Sequence, residues 1–210
     1  ILGEGEEVNL ELMDLYLEMK RRGASRSEFL RAASRIEGIY VPSLYEVTYH
    51  ADGTVSAITP KDGAPEKVVK RVIRDMDQAF YPETFVVPFV ETVHDRAVEE
   101  VLRGCIRGCR FCQAGFLYRP FREKSPETIV RQCRSLCDTT GYQELSLSSL
   151  STSDHSRLEE TLNELLPYLD ENRINITLPS LRVDNFSKEL MDRIQGVRKS
   201  SLTFAPEAGT

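Results

Sequence analysis

The chain has 210 residues, of which 40% are hydrophobic and 29% charged; this excludes intrinsic disorder and allows one or two domains. A formal net charge of −6 supplies no general attraction to nucleic acid, although a local basic patch is compatible with it. No apolar run is long enough to span a bilayer as a helix, and five cysteines, odd in number and clustered, do not make the spread disulfide framework of a small secreted domain, so a reducing cytoplasm is the expectation.

Residues 1–7, ILGEGEE, read as the end of a strand, and the closing FAPEAGT reads as the start of a loop, so the sequence is expected to be a piece of a longer protein. Leu10, Met13, Leu15, Tyr16 and Met19 then recur at helical spacing, which predicts an amphipathic helix ending near Gly23. A second short helix follows in SRSEFLRAASRI, with Ser25 or Ser27 as its cap. Residues 40–60 alternate apolar and polar side chains around Ala51-Asp52-Gly53, and Asp-Gly between β-rich runs predicts a hairpin. Pro65 precedes EKVVKRVIRDMDQAF, whose Val68, Val69, Val72, Ile73 and Met76 predict one more helix. The stretch YPETFVVPFVETVHD has two prolines and no helical period, and reads as an extended connector.

From Arg96 the pattern changes. AVEEVLRG reads as a strand, SPETIVRQCRSLCDTTG as a helix opened by Ser-Pro-Glu and closed by Gly141, and ELSLSSLS as a strand. SRLEETLNELLPYLDEN is helical as far as Pro167, INITLPSLR is a strand, SKELMDRIQG a helix, and SSLTFAP a strand. Alternating strands and helices predict an α/β protein of parallel βα units, as an open sheet or a barrel.

Three of the five cysteines fall within RGCIRGCRFCQAG, as Cys105, Cys109 and Cys112, spaced C-x3-C-x2-C. Disulfides, zinc, an iron–sulfur cluster and coincidence all have to be weighed. A short loop can turn three thiolates toward one point but brings no fourth ligand. On a [4Fe–4S] cluster that leaves one iron without a protein ligand, and an open metal position is where a substrate or cofactor binds. Gly104 and Gly108 permit tight turns, and Arg103, Arg107 and Arg110 offset thiolate charge. The zinc alternative takes His94 or His155 as a fourth ligand. Cys133 and Cys137 lie one turn apart on the predicted helix, where they could ligate a metal together, but the better reading is small, half-buried side chains.

C-x3-C-x2-C after a first strand, with an aromatic residue before the last cysteine, resembles the radical S-adenosylmethionine (SAM) enzymes. The wider text, His94-Asp95-Arg96, RPFREKSPETI, SLRVD and FAPEAGT, is similar to a subgroup of that superfamily carrying a cobalamin-binding-type domain before the radical SAM barrel. The resemblance runs from about His94 to Thr210 and, more weakly, through the first 35 residues. It implies a partial (β/α) barrel with parallel strands, preceded by helices and a β-hairpin region. Residues 1–35 would end a cobalamin-binding-like domain, 36–92 would hold the hairpin, helix and connector, and 93–210 the first βα units of the barrel.

The resemblance also implies the chemistry. Cys105, Cys109 and Cys112 would hold a [4Fe–4S] cluster whose open iron chelates SAM, and reductive cleavage of SAM would give a 5′-deoxyadenosyl radical. Phe111 would lie near the adenine, or else anchor the loop as a core aromatic. Ser148 and Ser149 stand where the family often has a Gly-Gly-Glu-like stretch at the methionine amino group; the acidic residue is absent, and ordinary strand-end serines are the plain alternative. Ser180 and Arg182 follow the third strand, where a guanidinium can pair with the SAM carboxylate. Glu207 would end the fourth strand at the barrel mouth, on the ribose or substrate. The partners implied are a reductase or flavodoxin-type electron donor and a substrate that is RNA, a peptide or a small molecule, with no membrane. Cobalamin is a further expectation for the full-length protein, although no Asp-x-His-x-x-Gly loop occurs in the sequence. The alternative function is a non-catalytic zinc or iron–sulfur module.

Overall fold

A computed structural model describes residues 1–82, 84–90, 92–183, 192, 194, 204 and 205. The chain divides into two compact units, Ile1–Arg74 and Asp75–Thr210.

In the first unit, helix α1 (Val8–Arg21) turns Val8, Leu12 and Leu15 onto a small core. That stripe has the i, i+4, i+7 spacing of a helix face. Leu10, Met13 and Tyr16, expected on the same face, point outward instead. Helix α2 (Arg26–Ala33) begins at a capping box: Ser25 Oγ accepts from Glu28 N at 3.3 Å, and Ser25 N donates to Glu28 Oε2 at 2.8 Å. Strands β1 (Tyr45–Tyr49) and β2 (Val55–Pro60) form the expected antiparallel hairpin. Asp52 fixes its turn by accepting from Thr54 N and Oγ1 at 2.9 and 2.7 Å, and Gly53 takes a φ of +84° that L side chains rarely adopt.

The helix expected after Pro65 does not form. Residues 66–80 carry bends and no helix, and within the first unit Arg71 is bridged in parallel to Gly3. Arg71 N donates to Leu2 O at 3.0 Å, Glu4 N to Arg71 O at 3.1 Å, and Ile73 N to the Glu4 carboxylate at 2.6 Å. Val68, Val69, Val72 and Ile73 are β-branched and lose side-chain freedom in a helix, so hydrogen bonds to residues 2–4 outcompete the 3.6-residue pattern.

In the second unit the described residues of 81–95 form neither helix nor strand, in line with the proline-containing text. The centre is a three-stranded parallel sheet in the order β3 (Ala97–Glu100), β6 (Glu144–Ser148), β7 (Asn175–Thr177), with strand β4 (Leu102–Arg103) continuing from β3. The chain returns antiparallel to β4 as β5 (Arg122–Glu123), after the short helix α3 (Gln113–Leu117), which was not foreseen. Helix α4 (Pro126–Thr140) links β5 to β6, and α5 (Leu158–Asn172) links β6 to β7. Strand β8 (Leu181–Arg182) pairs in parallel with β9 (Phe204–Ala205). The expected α/β fold of parallel strands joined through helices is therefore observed. Of the helix expected over 187–196, Asp192 and Ile194 are described, both helical; the rest of it lies outside the described residues.

Pairing registers Ala97 with Leu145 and Ile176, and Glu99 with Leu147. These side chains share a core with Ile129, Cys133 and Leu136 of α4 and Leu162, Leu165 and Leu169 of α5. Alternation along the strands sends Val98, Ser146, Ser148 and Thr177 to the other face. Both ends of α4 follow the sequence signals: Ser125 Oγ accepts from Thr128 N at 3.2 Å, and Gly141 closes it at φ +71°. Pro167 does not stop α5, because Leu166 and Leu169 on either side are buried and hold the helix to the sheet. The carbonyl left without its N–H partner belongs to exposed Asn163, where water can satisfy it.

Inside this core lies an ion pair. Lys124 Nζ, from the turn between β5 and α4, donates to Glu99 Oε1 at 2.6 Å and to Gln132 Oε1 at 2.8 Å, and sits 4.7 Å from the centre of the Tyr81 ring. Burial raises the Glu99 carboxyl above its ordinary value, and Lys124 offsets only part of that rise. Truncating one partner of such a pair strands the other charge. Lys124→Met should cost about 3–5 kcal/mol in urea unfolding, whereas Lys124→Met combined with Glu99→Leu should return close to wild type.

Candidate functional site

Val101 anchors the cysteine loop: its N–H donates to Ser148 O at 3.1 Å, and its carbonyl accepts from Lys124 N at 3.0 Å. β4 then leads into Gly104, whose φ is +86°. A Cβ on Gly104 would come within 2.8 Å of both the Tyr118 and Pro120 carbonyl oxygens, so the loop closes against its own return segment only with glycine there.

Within the loop, Cys112 N donates to Cys109 O at 3.1 Å, and Cys112 caps α3, its sulfur accepting from Gly115 N at 3.4 Å. Cys105 Sγ accepts from Arg107 N at 3.4 Å. N–H groups aimed at sulfur suit a negatively charged ligand sulfur and tune a cluster bound to it. All three thiols are half-buried and none is in a disulfide. Among the described residues no three His, Cys, Asp or Glu side chains are gathered to hold one ion, so the loop carries the three cysteines together without closing them round a point. The donor set fits a cluster with an open iron in kind: three accessible thiols on one loop, two of them already taking N–H donors.

The other candidates for ligands are differently placed. Cys133 and Cys137 are buried in the α4 core, where desolvation drives the Cys133 thiol well above its ordinary value and pushes Cys137 up to about 11. His155 is buried; its Nε2 bonds to Lys124 O at 3.0 Å and its Nδ1 accepts from Arg157 N at 3.2 Å, which leaves neither ring nitrogen for a metal. His94 Nδ1 accepts from Arg96 at 3.1 Å.

The loop between β6 and α5 runs through a short 3-10 turn at Thr152–Asp154 and is laced to its neighbours. Ser149 Oγ lies 2.8 Å from Thr152 Oγ1, Thr152 Oγ1 donates to Pro179 O at 2.9 Å, and Arg182 N donates to Ser153 Oγ at 3.2 Å. Ser148, Ser149, Ser180 and Arg182 are thus brought to one end of the sheet, the C-terminal ends of its strands, beside the cysteine loop. Ser180 takes a left-handed φ of +58°. Phe111 is 75% exposed, so it does not anchor the loop as a core aromatic; its ring faces outward. Glu207 lies outside the described residues.

Two residues escaped the sequence reading. In the sequence Arg107 stands only as one of three arginines offsetting thiolate charge, and Asp154 carries no expected role. Arg107 instead forms a two-bond ion pair with buried Asp154, which joins the cysteine loop to the β6–α5 loop. An acid within a run of hydroxyl residues after a strand, STSD, was the available signal.

Two outcomes follow from this geometry. In metal-free protein at pH 8, iodoacetamide should modify Cys105, Cys109 and Cys112 well before Cys133 and Cys137, as read by peptide mass spectrometry; burial holds the latter pair as neutral thiols, which become nucleophilic only as pH climbs toward their raised values. Gly104→Ala should destabilise the protein by about 1–3 kcal/mol through strain and clash, whereas Gly108→Ala, with nothing within 4 Å of the added Cβ, should unfold at the wild-type temperature.

Comparison with known proteins gives the family. Residues 100–210 match the family model of the radical SAM superfamily, and residues 1–42 match the model for the N-terminal region of radical SAM proteins. An uncharacterized protein of Methanocaldococcus jannaschii is 32% identical over 111 residues, covering 53% of this chain and 23% of that protein. A tRNA-2-methylthio-N(6)-dimethylallyladenosine synthase of Staphylococcus epidermidis is 29% identical over 96 residues, 46% of this chain and 18% of its own length. Each match therefore takes in less than a quarter of the relative. With more than half of its residues matched to the superfamily model, and with C-x3-C-x2-C on the loop after its first parallel strand, the chain belongs to the radical SAM superfamily.

Proposed function

We propose that this chain is part of a radical SAM enzyme in which Cys105, Cys109 and Cys112 hold a [4Fe–4S] cluster. The observation that carries this reading is the loop itself: three half-buried thiols beside the C-terminal ends of parallel strands, two of them accepting backbone N–H groups. Superfamily members normally bind a [4Fe–4S] cluster and SAM. When bound, cluster and SAM together supply a 5′-deoxyadenosyl radical through reductive cleavage of the sulfonium C–S bond.

The chain's own groups bind and orient. The small side chains of Ser148 and Ser149 leave backbone open to the methionine portion of SAM, although the Ser148 carbonyl already accepts from Val101. Arg182 presents a guanidinium suited to the carboxylate, next to the left-handed turn at Ser180. Phe111, exposed on the cluster loop, offers a face to the adenine. Glu207 completes this proposed set from sequence alone.

An electron donor of the reductase or flavodoxin type is the protein partner on this reading, and a reducing cytoplasm its setting. Among the described residues no helix is long and apolar enough to cross a membrane. Of the substrate classes RNA, peptide and small molecule, RNA has a relative behind it, since the Staphylococcus epidermidis protein is named for a modified tRNA base. Cobalamin binding by the region containing residues 1–35 rests on resemblance alone.

Anaerobic reconstitution with iron and sulfide tests the proposal. The chain should take up about four irons, its reduced EPR spectrum should change on adding SAM, and dithionite should release 5′-deoxyadenosine. Cys109→Ala should abolish all three, and Cys133→Ala should leave them intact. Zinc or iron held with a fourth protein donor, and no response to SAM, would make the loop a structural module instead.

A further inference from the structure

The cysteine loop and the β6–α5 loop belong to successive βα units, and one ion pair joins them. Arg107 lies between Cys105 and Cys109. Its Nε donates to Asp154 Oδ2 at 2.9 Å and its terminal nitrogen to Oδ1 at 2.5 Å. The Asp154 side chain is 1% exposed and that of Arg107 33%. Ser151 Oγ donates to Asp154 Oδ2 at 2.8 Å and so holds the carboxylate from behind. A planar fork on a carboxylate fixes angle as well as distance, which a point charge does not. The same loop carries Ser149 at one end, and through Thr152 and Ser153 it is tied to Pro179 and Arg182.

We propose that Asp154 is a positioning residue: acting through Arg107, it sets the cysteine loop in register with the loop that bears Ser148 and Ser149, so that one SAM molecule meets both. This rests on the function proposed above, and it assigns Asp154 the task of aligning two binding segments. A carboxylate that takes two Arg107 bonds and a serine bond is a strut between loops.

The test uses Asp154→Asn, which keeps the shape and removes the charge, Arg107→Lys, which keeps the charge and removes the fork, and the double variant Arg107→Met with Asp154→Asn, which removes both charges of the pair. In the metal-free protein, amide hydrogen exchange across residues 105–112 should accelerate in all three, while α4 and α5 exchange as in wild type. After anaerobic reconstitution to the wild-type iron content, the SAM concentration giving half of the EPR change should rise roughly tenfold to a hundredfold in Asp154→Asn, with Arg107→Lys in between. The double variant should regain thermal stability, since neither charge is stranded, yet keep the weakened response to SAM. Recovery of the SAM response along with stability would mean the pair is merely structural and would overturn the proposal. So would wild-type exchange and a wild-type SAM titration in Asp154→Asn. Wild-type protein that takes up no cluster would instead sink the functional reading, while exchange in the metal-free variants still decides whether the pair couples the loops.

Discussion

Val101 is the point from which the site hangs. Its side chain is sealed in the core, its N–H is bonded to the end of the neighbouring strand at Ser148, and its carbonyl holds Lys124 of the returning segment. A parallel sheet ends in loops that diverge unless something ties them, since each strand feeds a separate crossover. Here the tie is made one residue before β4 leads into the cysteine loop. The start of that loop is therefore set by the sheet and the β5–α4 turn, and its course by the groups it carries, Gly104 and Arg107 among them.

Two buried carboxylates divide the second unit between them. Glu99 points to the helix side of the sheet and is matched by Lys124. Asp154 lies at the loop end and is matched by Arg107. Each takes a basic partner from a segment distant in sequence, and each is held by a further polar group, Gln132 beside Lys124 and Ser151 on Asp154. Burial makes each carboxylate intolerant of losing its partner, because an isolated charge in the interior has no water to turn to. The consequence differs with place: the first pair fixes how the β5–α4 turn seats on the core, and the second fixes how two loops face each other.

Much of this was legible in the residues. Asp52-Gly53 marked the hairpin, Ser125-Pro126-Glu127 and Gly141 bounded α4, and alternating elements gave the parallel α/β fold, because these signals act over a few residues. The cysteine spacing named the loop for the same reason. The segment after Pro65 misled because a helical repeat of valines was outweighed by backbone bonds to residues 2–4, a pairing that local text does not contain. Pro167 misled because core contacts on both sides outweigh one lost hydrogen bond. The partnership of Arg107 and Asp154 spans 47 residues and depends on the sheet being assembled first. Charge type was visible in each residue, but not the partner.

The burial of Cys133 and Cys137 bears on how such a protein ages in air. A thiol that stays protonated and out of reach of peroxide neither climbs the sulfenic–sulfonic series nor resolves a sulfenate formed elsewhere. Oxidative injury is thereby directed to the three sulfurs near the surface, where crossed disulfides among Cys105, Cys109 and Cys112 are open to reducing thiols. Cys133 and Cys137, sealed in the core of the second unit, are held apart from that injury, so thiol damage at the surface need not insert a polar wedge into their helix.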